Sequence, residues 1–297
     1  MNLQGIFKSS PSFVQLAVLI GLSIFGGTLG FTIFSLSAAM MEISTTNIDM
    51  LRLMQFWVSI CSFLLAAYWA SYLFSDDTNS YLQTNSSPTI STIILTVIAI
   101  IASAPCLNYL VYLNEQVQFP ESMKGIETIL RDMETAARTL TEQMLKTDKY
   151  SLLIFNIILF GVVAGVGEEF FFRGVLQRIV GKAVRNPHVV IWIVAFIFSA
   201  VHFQFYGFIP RMMLGAMMGY LLMWTNCIWV PVIAHFAHNS SSVFFYYFAS
   251  DTDYIEQVNI LGTGGTWWLS LLSLFIVLCV LFAIKKINQT TANRQKI

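Results

Sequence analysis

Two adjacent carboxylates and a guanidinium stand inside an apolar part of this 297-residue chain, in the segment GEEFFFR at 167–173. A charged side chain at the centre of a bilayer costs roughly 2.5 to 3.5 kcal/mol on insertion scales, so three together need partners and a purpose. On a helix, Glu169 and Arg173 are four residues apart and face each other, whereas Glu168 lies about 100° round the helix. We therefore expect Arg173 to hold Glu169 ionised and leave Glu168 available for chemistry.

Three of the four histidines also follow in apolar segments. His202 ends the segment FSAVH, and His235 and Asn239 share one face of a later helix because they are four residues apart. We count about 1.5 Å per residue from the helix ends expected on one side of the membrane, Val180, Val189 and Asn226. Glu168 then lies about 18 Å deep, His202 about 20 Å and His235 about 14 Å. If the helix of Glu168 continues well past Arg173, lateral packing can therefore bring them into one layer of the bilayer.

These residue types suit the hydrolysis of an acyl bond. A carboxylate beside an imidazole can bind and deprotonate a water molecule. A second imidazole with an amide N–H can stabilise the oxyanion that forms when this water attacks an acyl carbon. The combination indicates a hydrolase.

Three motifs occur in order along these segments. Glu168 to Arg173 matches EExxxR, the pair Phe198 and His202 matches FxxxH, and the pair His235 and Asn239 matches HxxxN. In this order and within apolar segments, they resemble the type II CAAX prenyl endopeptidases and their prokaryotic relatives, the CPBP (Abi) family. The resemblance covers residues 168 to 239, about a quarter of the chain.

The resemblance implies an intramembrane glutamic endopeptidase without a metal or other cofactor, acting on a peptide or protein substrate at the membrane. In that family pattern Glu168 is the general base, His202 helps to hold the water, and His235 with Asn239 forms the oxyanion site. The supporting residues that shape the pocket are Glu169 and Arg173. His238 is not part of the pattern, and we expect it to serve packing.

Two other functions remain open. A zinc-dependent membrane protease could use His202, His235 and a glutamate as ligands, although the sequence lacks the HExxH motif. A non-enzymatic scaffold, immunity-type protector or transport component could use the same polar residues to bind a partner or carry protons. At the level of single residues, Glu169 with Arg173 could be only a structural bridge, and Asn239 could cross-link two helices.

The composition decides the class of protein. Hydrophobic residues make up 56% of the chain and charged residues 11%, which is more apolar surface than one soluble core can hide. The formal net charge of zero gives no reason to expect a nucleic-acid partner. The four cysteines are isolated in apolar segments, so we expect no disulfide framework.

The fold class that follows is all-α, a polytopic membrane helical bundle in one integral domain, 1–297. We predict eight spans, at 13–41, 53–74, 89–113, 150–180, 189–205, 212–227, 229–248 and 267–284. They are grouped as three N-terminal spans in 1–115, an amphipathic helix in 121–149, a catalytic core of four spans in 150–249 and a last span in 266–286. GxxxG spacing at Gly26 and Gly30, and again at Gly215 and Gly219, predicts close helix contacts.

The segment 121–149 differs from the rest, because apolar residues recur at helical spacing while charged residues fill the other positions. Its apolar positions are Ile126, Ile129, Leu130, Met133, Ala137, Leu140 and Met144. The segment is too charged to span a membrane. It is either a connecting helix packed on the rest of the protein or a helix in the membrane interface that acts as a lid or substrate guide.

Loop charges predict the orientation. In an eight-span topology one side carries Lys8, Arg178, Lys182, Arg185, Lys285, Lys286, Arg294 and Lys296, and the other carries Glu42, Asp49, Glu115, Asp251, Asp253 and Glu256. Because basic loops stay in the cytoplasm, both termini are expected there.

Overall fold

The structure, a computed structural model, describes residues 3–41, 47–249, 257–258 and 260–294, with side chains described as far as 289. Within these ranges the chain is helical and has no β-strand. The main helices are α1 (Ser12–Met41), α2 (Ile48–Phe74), α3 (Thr78–Leu82), α4 (Ile90–Glu115), α5 (Lys124–Leu145), α6 (Tyr150–Ala183), α7 (Pro187–Ala200), α8 (Phe208–Thr225), α9 (Trp229–Phe248) and α10 (Trp267–Arg294). The predicted all-α polytopic bundle is thus confirmed.

Five helical stretches among the described residues are long and apolar enough to cross a membrane, which makes this an integral multi-pass membrane protein. They are α1, α2, α4, α6 and Gly264–Gln289, which includes most of α10. Helix α7 has only 14 residues, and α8 and α9 carry the polar residues Arg211, His235, His238 and Asn239. The count of eight spans therefore remains a prediction.

Several predicted boundaries shift. The span expected at 189–205 ends early, because α7 stops at Ala200 and the left-handed backbone of Phe203 (φ 54°) turns the chain. His202 therefore lies in the turn beyond the helix rather than on it. The amphipathic helix expected over 121–149 is shorter, with a 3₁₀ turn before α5. The segment between the second and third predicted spans contains α3, whose first amides are capped by Asp77.

Helix α6 continues well past Arg173, as the depth argument requires, but it is not regular. Two π-helical stretches, Ile157–Ala164 and Phe170–Leu176, flank the α-helical turn Gly165–Glu169. Such stretches widen the helix, rotate the following side chains and are frequent at functional sites. The two acidic residues of the first motif thus occupy a regular turn between two widened ones.

The GxxxG spacing in α1 lies at a close helix crossing. A Cβ added to Gly26 would stand 2.1 Å from the carbonyl oxygen of Cys61 in α2, and one added to Gly30 would stand 2.6 Å from that of Trp57. Only glycine lets the two backbones approach this closely. The largest core cluster among the described residues joins α1 and α2 to α6, and it includes the buried rings of Phe170, Phe171 and Phe172.

Helix α5 packs through its acidic side. Glu127 is buried and accepts hydrogen bonds from Lys124 (3.1 Å) and Arg131 (3.0 Å), which lower the pKa of its carboxyl group. Glu134 accepts a hydrogen bond from the backbone N–H of Tyr206 at 3.0 Å, in the turn after α7. The apolar residues Ile126, Ile129, Met133 and Leu140 are exposed. Four of the seven predicted apolar positions of α5 therefore face away from the bundle, whereas Leu130 and Ala137 are half-buried and Met144 is buried.

Contacts between loops define two ends of the bundle. Lys182 Nζ donates to the carbonyl oxygen of Lys8 at 3.4 Å, and the backbone N–H of Ile228 donates to the carbonyl oxygen of Gln83 at 3.2 Å. Four connecting segments therefore meet at one end of the bundle. At the other end, Asn114 donates to the carbonyl oxygen of Phe205 at 2.7 Å. The loop charges Glu42, Asp251, Asp253, Glu256 and Lys296, used above for the orientation, lie outside the described residues.

Candidate active site

The core of the site is a fully buried ion pair within α6. Arg173 Nη1 donates to Glu169 Oε1 at 2.8 Å, and both side chains are 0% exposed. Arg173 Nη2 donates to the carbonyl oxygen of Gly215 in α8 at 3.0 Å, and the guanidinium carbon stands 4.5 Å from the ring centroid of Phe198 in α7. A Cβ at Gly215 would come within 3.3 Å of Arg173. Glycine at this position therefore lets the guanidinium reach the backbone of α8.

His235, from α9, stands between the two acidic residues. Its Nδ1 lies 2.8 Å from Glu169 Oε1, and its Nε2 lies 3.9 Å from Glu168 Oε2. Because a carboxylate accepts hydrogen bonds, Nδ1 carries the proton and donates the hydrogen bond to Glu169. The distance to Glu168 is too long for a direct hydrogen bond, but one bridging water molecule about 2.8 Å from each atom would span it.

Glu168 is the acidic residue without a fixed partner. Its side chain is 16% exposed, and Oε2 is buried with no hydrogen-bond partner among the described residues. An unpaired buried acceptor costs roughly 1 to 3 kcal/mol, so such atoms call for an explanation. Glu169, by contrast, is held by Arg173 and His235. The two neighbouring carboxylates thus have different environments.

His202 reaches the site from the turn after α7. Its Nδ1 lies 2.7 Å from the carbonyl oxygen of Phe198, and because a carbonyl only accepts, Nδ1 carries the proton and leaves Nε2 with its lone pair. The ring of Phe198 packs edge-on against both imidazoles, with centroid distances of 5.1 Å to His202 and 6.1 Å to His235. His202 forms no ion pair with Glu168 in the described structure, so the imidazole nearest that carboxylate is His235.

Asn239 lies one turn beyond His235 on α9 and faces α6. Its Nδ2 donates to the carbonyl oxygen of Phe160 at 2.8 Å, which leaves the second N–H of the amide for another acceptor. His238 is half-buried and interacts electrostatically with His235 and with Arg211.

Sequence reasoning missed Arg211 and the part played by Phe198. Arg211, at the start of α8, interacts electrostatically with Glu168 and donates to Gln204 Oε1 at 2.7 Å. A lone arginine in an apolar segment is itself a sign of function, but it fell just outside the span predicted from residue 212. The ring of Phe198 contacts Arg173 and both histidines, a role that the FxxxH pattern does not specify.

The geometry also bears on the zinc alternative. A catalytic zinc site needs three protein ligands that converge on one point. Among the described residues, no three side chains of His, Cys, Asp or Glu are arranged to hold a metal ion. In this arrangement Glu169 and His235 instead hydrogen-bond to each other.

Comparison with known proteins agrees with the motif assignment. Residues 150–241 match the family described as type II CAAX prenyl endopeptidase Rce1-like, a segment that contains all three motifs. A curated protein from Bacillus subtilis (strain 168), named uncharacterized protein YpbD, is 32% identical over 85 residues, or 27% of this chain and 40% of that protein. The match thus spans less than half of that relative's length. No solved structure matches significantly. The resemblance to this family of endopeptidases is therefore confirmed for the segment that carries the site.

Proposed function

We propose that this protein is an intramembrane endopeptidase that hydrolyses a peptide bond of a membrane-associated or lipidated substrate. The observation that carries the proposal is the placement of His235, which hydrogen-bonds Glu169 through Nδ1 and faces Glu168 through Nε2. This arrangement gives two adjacent carboxylates different tasks. Glu169 orients the imidazole, and Glu168 is available to accept a proton.

The proposed chemistry is the attack of a water molecule on the scissile carbonyl. Glu168 takes one proton from the water, and the lone pair on His202 Nε2 accepts a hydrogen bond from its other O–H. The oxyanion that forms is stabilised by the Nε2–H of doubly protonated His235, which lies between two carboxylates, and by the remaining N–H of Asn239. Glu168 then returns the proton to the leaving amine, so the step balances without a cofactor.

The similarity of residues 150–241 to type II CAAX prenyl endopeptidases supports this class of reaction. The burial of Glu169 and Arg173 supports a fixed pocket, because side chains with 0% exposure keep one geometry. We extend the proposal to the whole chain, 1–297, as one integral membrane domain whose partners are a peptide or protein substrate and the lipid bilayer. The substrate is a segment that can reach the depth of Glu168.

The test compares cells that contain the wild-type protein with cells that contain Glu168→Gln, and identifies new C-terminal and juxtamembrane cleavage products by proteomics. We expect the variant to lose the products, because loss of a general base lowers the rate by about 10²- to 10⁴-fold. Glu121→Gln, in the exposed turn before α5, is the matched control and keeps them. Equal product levels in wild type and Glu168→Gln, at equal amounts of folded protein, would refute the proposal.

A further inference from the structure

A second polar cavity lies at the opposite end of α6 from the turn that carries His202. It has a volume of about 300 Å³, is open to the outside, and is lined by α6, α7, α8, the connection between α6 and α7, and the residues that follow α3 and α8. Three arginines line it, Arg173, Arg178 and Arg185, and no Asp or Glu is among its described lining residues. Arg173 is already paired with Glu169, so the net positive charge of this concave site comes from Arg178 and Arg185, and it favours an anion.

The floor of the cavity holds buried polar atoms that the protein leaves unpaired. Arg173 is 0% exposed, and its Nε–H has no hydrogen-bond partner among the described residues, although its two Nη atoms are engaged. The side-chain oxygen of Gln177, one turn further along α6, is also buried without a partner. A ligand with an anionic oxygen and a hydroxyl group would satisfy both.

The rim of the cavity includes the left-handed residues that end two helices. Gln83 (φ 57°) and Asn226 (φ 48°) are two of the three described non-glycine residues with positive φ, and both line the cavity. They terminate α3 and α8, and Gln83 Nε2 lies 3.4 Å from Asn226 Oδ1. Here they bring two side-chain amides to one edge of a cationic cavity.

The depth of the cavity indicates where its ligand comes from. Arg178 stands five residues before the end of α6 at Ala183, or about 8 Å along the axis. The headgroup layer of a bilayer is about as thick, roughly 5 to 8 Å on each side. A lipid phosphate at that level would lie beside Arg178 and Arg185, with Arg173 below it.

We propose that this cavity is a binding site for a phosphate-bearing anion, in the first place the phosphate of an anionic lipid headgroup. The arginines provide charge-assisted hydrogen bonds to the phosphate oxygens, and the amides of Gln177, Gln83 and Asn226 contact the headgroup hydroxyls. The cavity and the candidate active site share one guanidinium, that of Arg173. The proposal does not depend on proteolysis.

The experiment measures binding to the full-length protein directly. Protein in nanodiscs of phosphatidylcholine with a minor fraction of phosphatidylglycerol is released into a mass spectrometer, and retained phosphatidylglycerol is counted. We expect Arg178→Gln with Arg185→Gln to bind about tenfold more weakly than wild type, because charged hydrogen bonds are lost. Lys285→Gln with Lys286→Gln removes the same charge on the last helix and should bind as wild type.

A second pair of variants changes the charge of the cavity without removing an arginine side chain. Gly181 lines the cavity, and a Cβ added there meets no atom within 4 Å. Gly181→Asp and Gly181→Asn therefore occupy the same space and differ only in charge. We expect Gly181→Asp to lose phosphatidylglycerol and Gly181→Asn to retain most of it.

A titration with inorganic phosphate, in nanodiscs without phosphatidylglycerol, distinguishes a site for the free phosphate ion from a site for the lipid headgroup. Binding of phosphate alone with the same dependence on the variants would assign the site to the free ion, and binding of the lipid alone would assign it to the headgroup. Absence of both from the wild type, or equal binding by Gly181→Asp and Gly181→Asn, would overturn the proposal.

Discussion

Arg173 joins three helices through one side chain. It pairs with Glu169 on its own helix, donates to the Gly215 carbonyl on α8 and lies over the ring of Phe198 on α7. A buried ion pair adds little stability when it forms, because both charges lose their water. Removing one partner is costly, because the other charge remains buried and unpaired.

We expect Arg173→Met to lower the free energy of unfolding by about 3 to 5 kcal/mol, since Glu169 would be left with only His235. The measurement is unfolding in detergent micelles followed by helical circular dichroism. Arg178→Met is the matched control. That side chain is half-buried and makes one long hydrogen bond, at 3.4 Å to Ser80, so its loss should cost less than about 1 kcal/mol.

The double variant Arg173→Met with Glu169→Gln separates charge from packing. Removing both charges should restore part of the lost stability, because no unpaired ion then remains in the interior. If the single and double variants were equally unstable, the ion pair would not be the cause.

Contacts between individual side chains on different helices were the part of the site that the sequence predicted least well. The spacing of Glu169 and Arg173 predicts their contact, because four residues on a helix fix it. Nothing in the spacing of motifs on different helices predicts which imidazole meets which carboxylate. In the structure His235 is the imidazole nearest to Glu168, and His202 is hydrogen-bonded to the carbonyl oxygen of Phe198 instead.

At the scale of helices, the glycines of α1 divide into two kinds. Gly26 packs against the backbone of α2, where a Cβ would stand 2.1 Å from the carbonyl oxygen of Cys61. Gly21, on the same helix, has open space around its Cα, with no atom within 4 Å of an added Cβ. The same substitution must therefore have opposite effects at the two positions.

We expect Gly26→Ala to destabilise the protein by about 1 to 3 kcal/mol, because the helices must separate to admit a methyl group. Gly21→Ala should be neutral or stabilising by up to about 1 kcal/mol, through helix propensity alone. Thermal unfolding of both variants in the same detergent is the measurement. A loss of stability in Gly21→Ala equal to that in Gly26→Ala would contradict the packing explanation.

Helix α5 shows how an amphipathic pattern can leave its orientation open. The sequence predicts an apolar side and a charged side, but either can face the protein. In the structure the carboxylates of Glu127 and Glu134 point inward to fixed partners, and Ile126 and Ile129 are exposed. This orientation favours the interpretation of α5 as a membrane-interface helix over that of a simple connector.

At the scale of the whole molecule, the loops separate into two ends. The loop around residue 8 meets the end of α6, and the turn after α8 meets the turn after α3. Helix α5 and the turn after α7 lie at the other end. The alternation of ends along the chain is the one that eight crossings produce, although three of the helices are short or polar.

We expect both termini in the cytoplasm, because the short loops and helix ends on their side of the bundle carry Lys8, Arg178, Lys182 and Arg185. A cysteine placed at Asn186, between α6 and α7, should react with a membrane-impermeant maleimide only after the cells are opened. A cysteine at Asp148, between α5 and α6, should react in intact cells. These experiments need a background in which the four native cysteines are replaced by serine or alanine. The opposite labelling pattern would invert the orientation, and labelling of both sites in intact cells would exclude the eight-span topology.

Hydropathy and local helical spacing are enough to predict the membrane setting, the all-α class and the three motifs. Where α7 ends, and that Glu127 and Glu134 of α5 point inward, are known only from the folded chain. Local spacing fixes only neighbours on the same helix. The rotation of each helix and the contacts between helices depend on packing over the whole chain, which no single segment encodes.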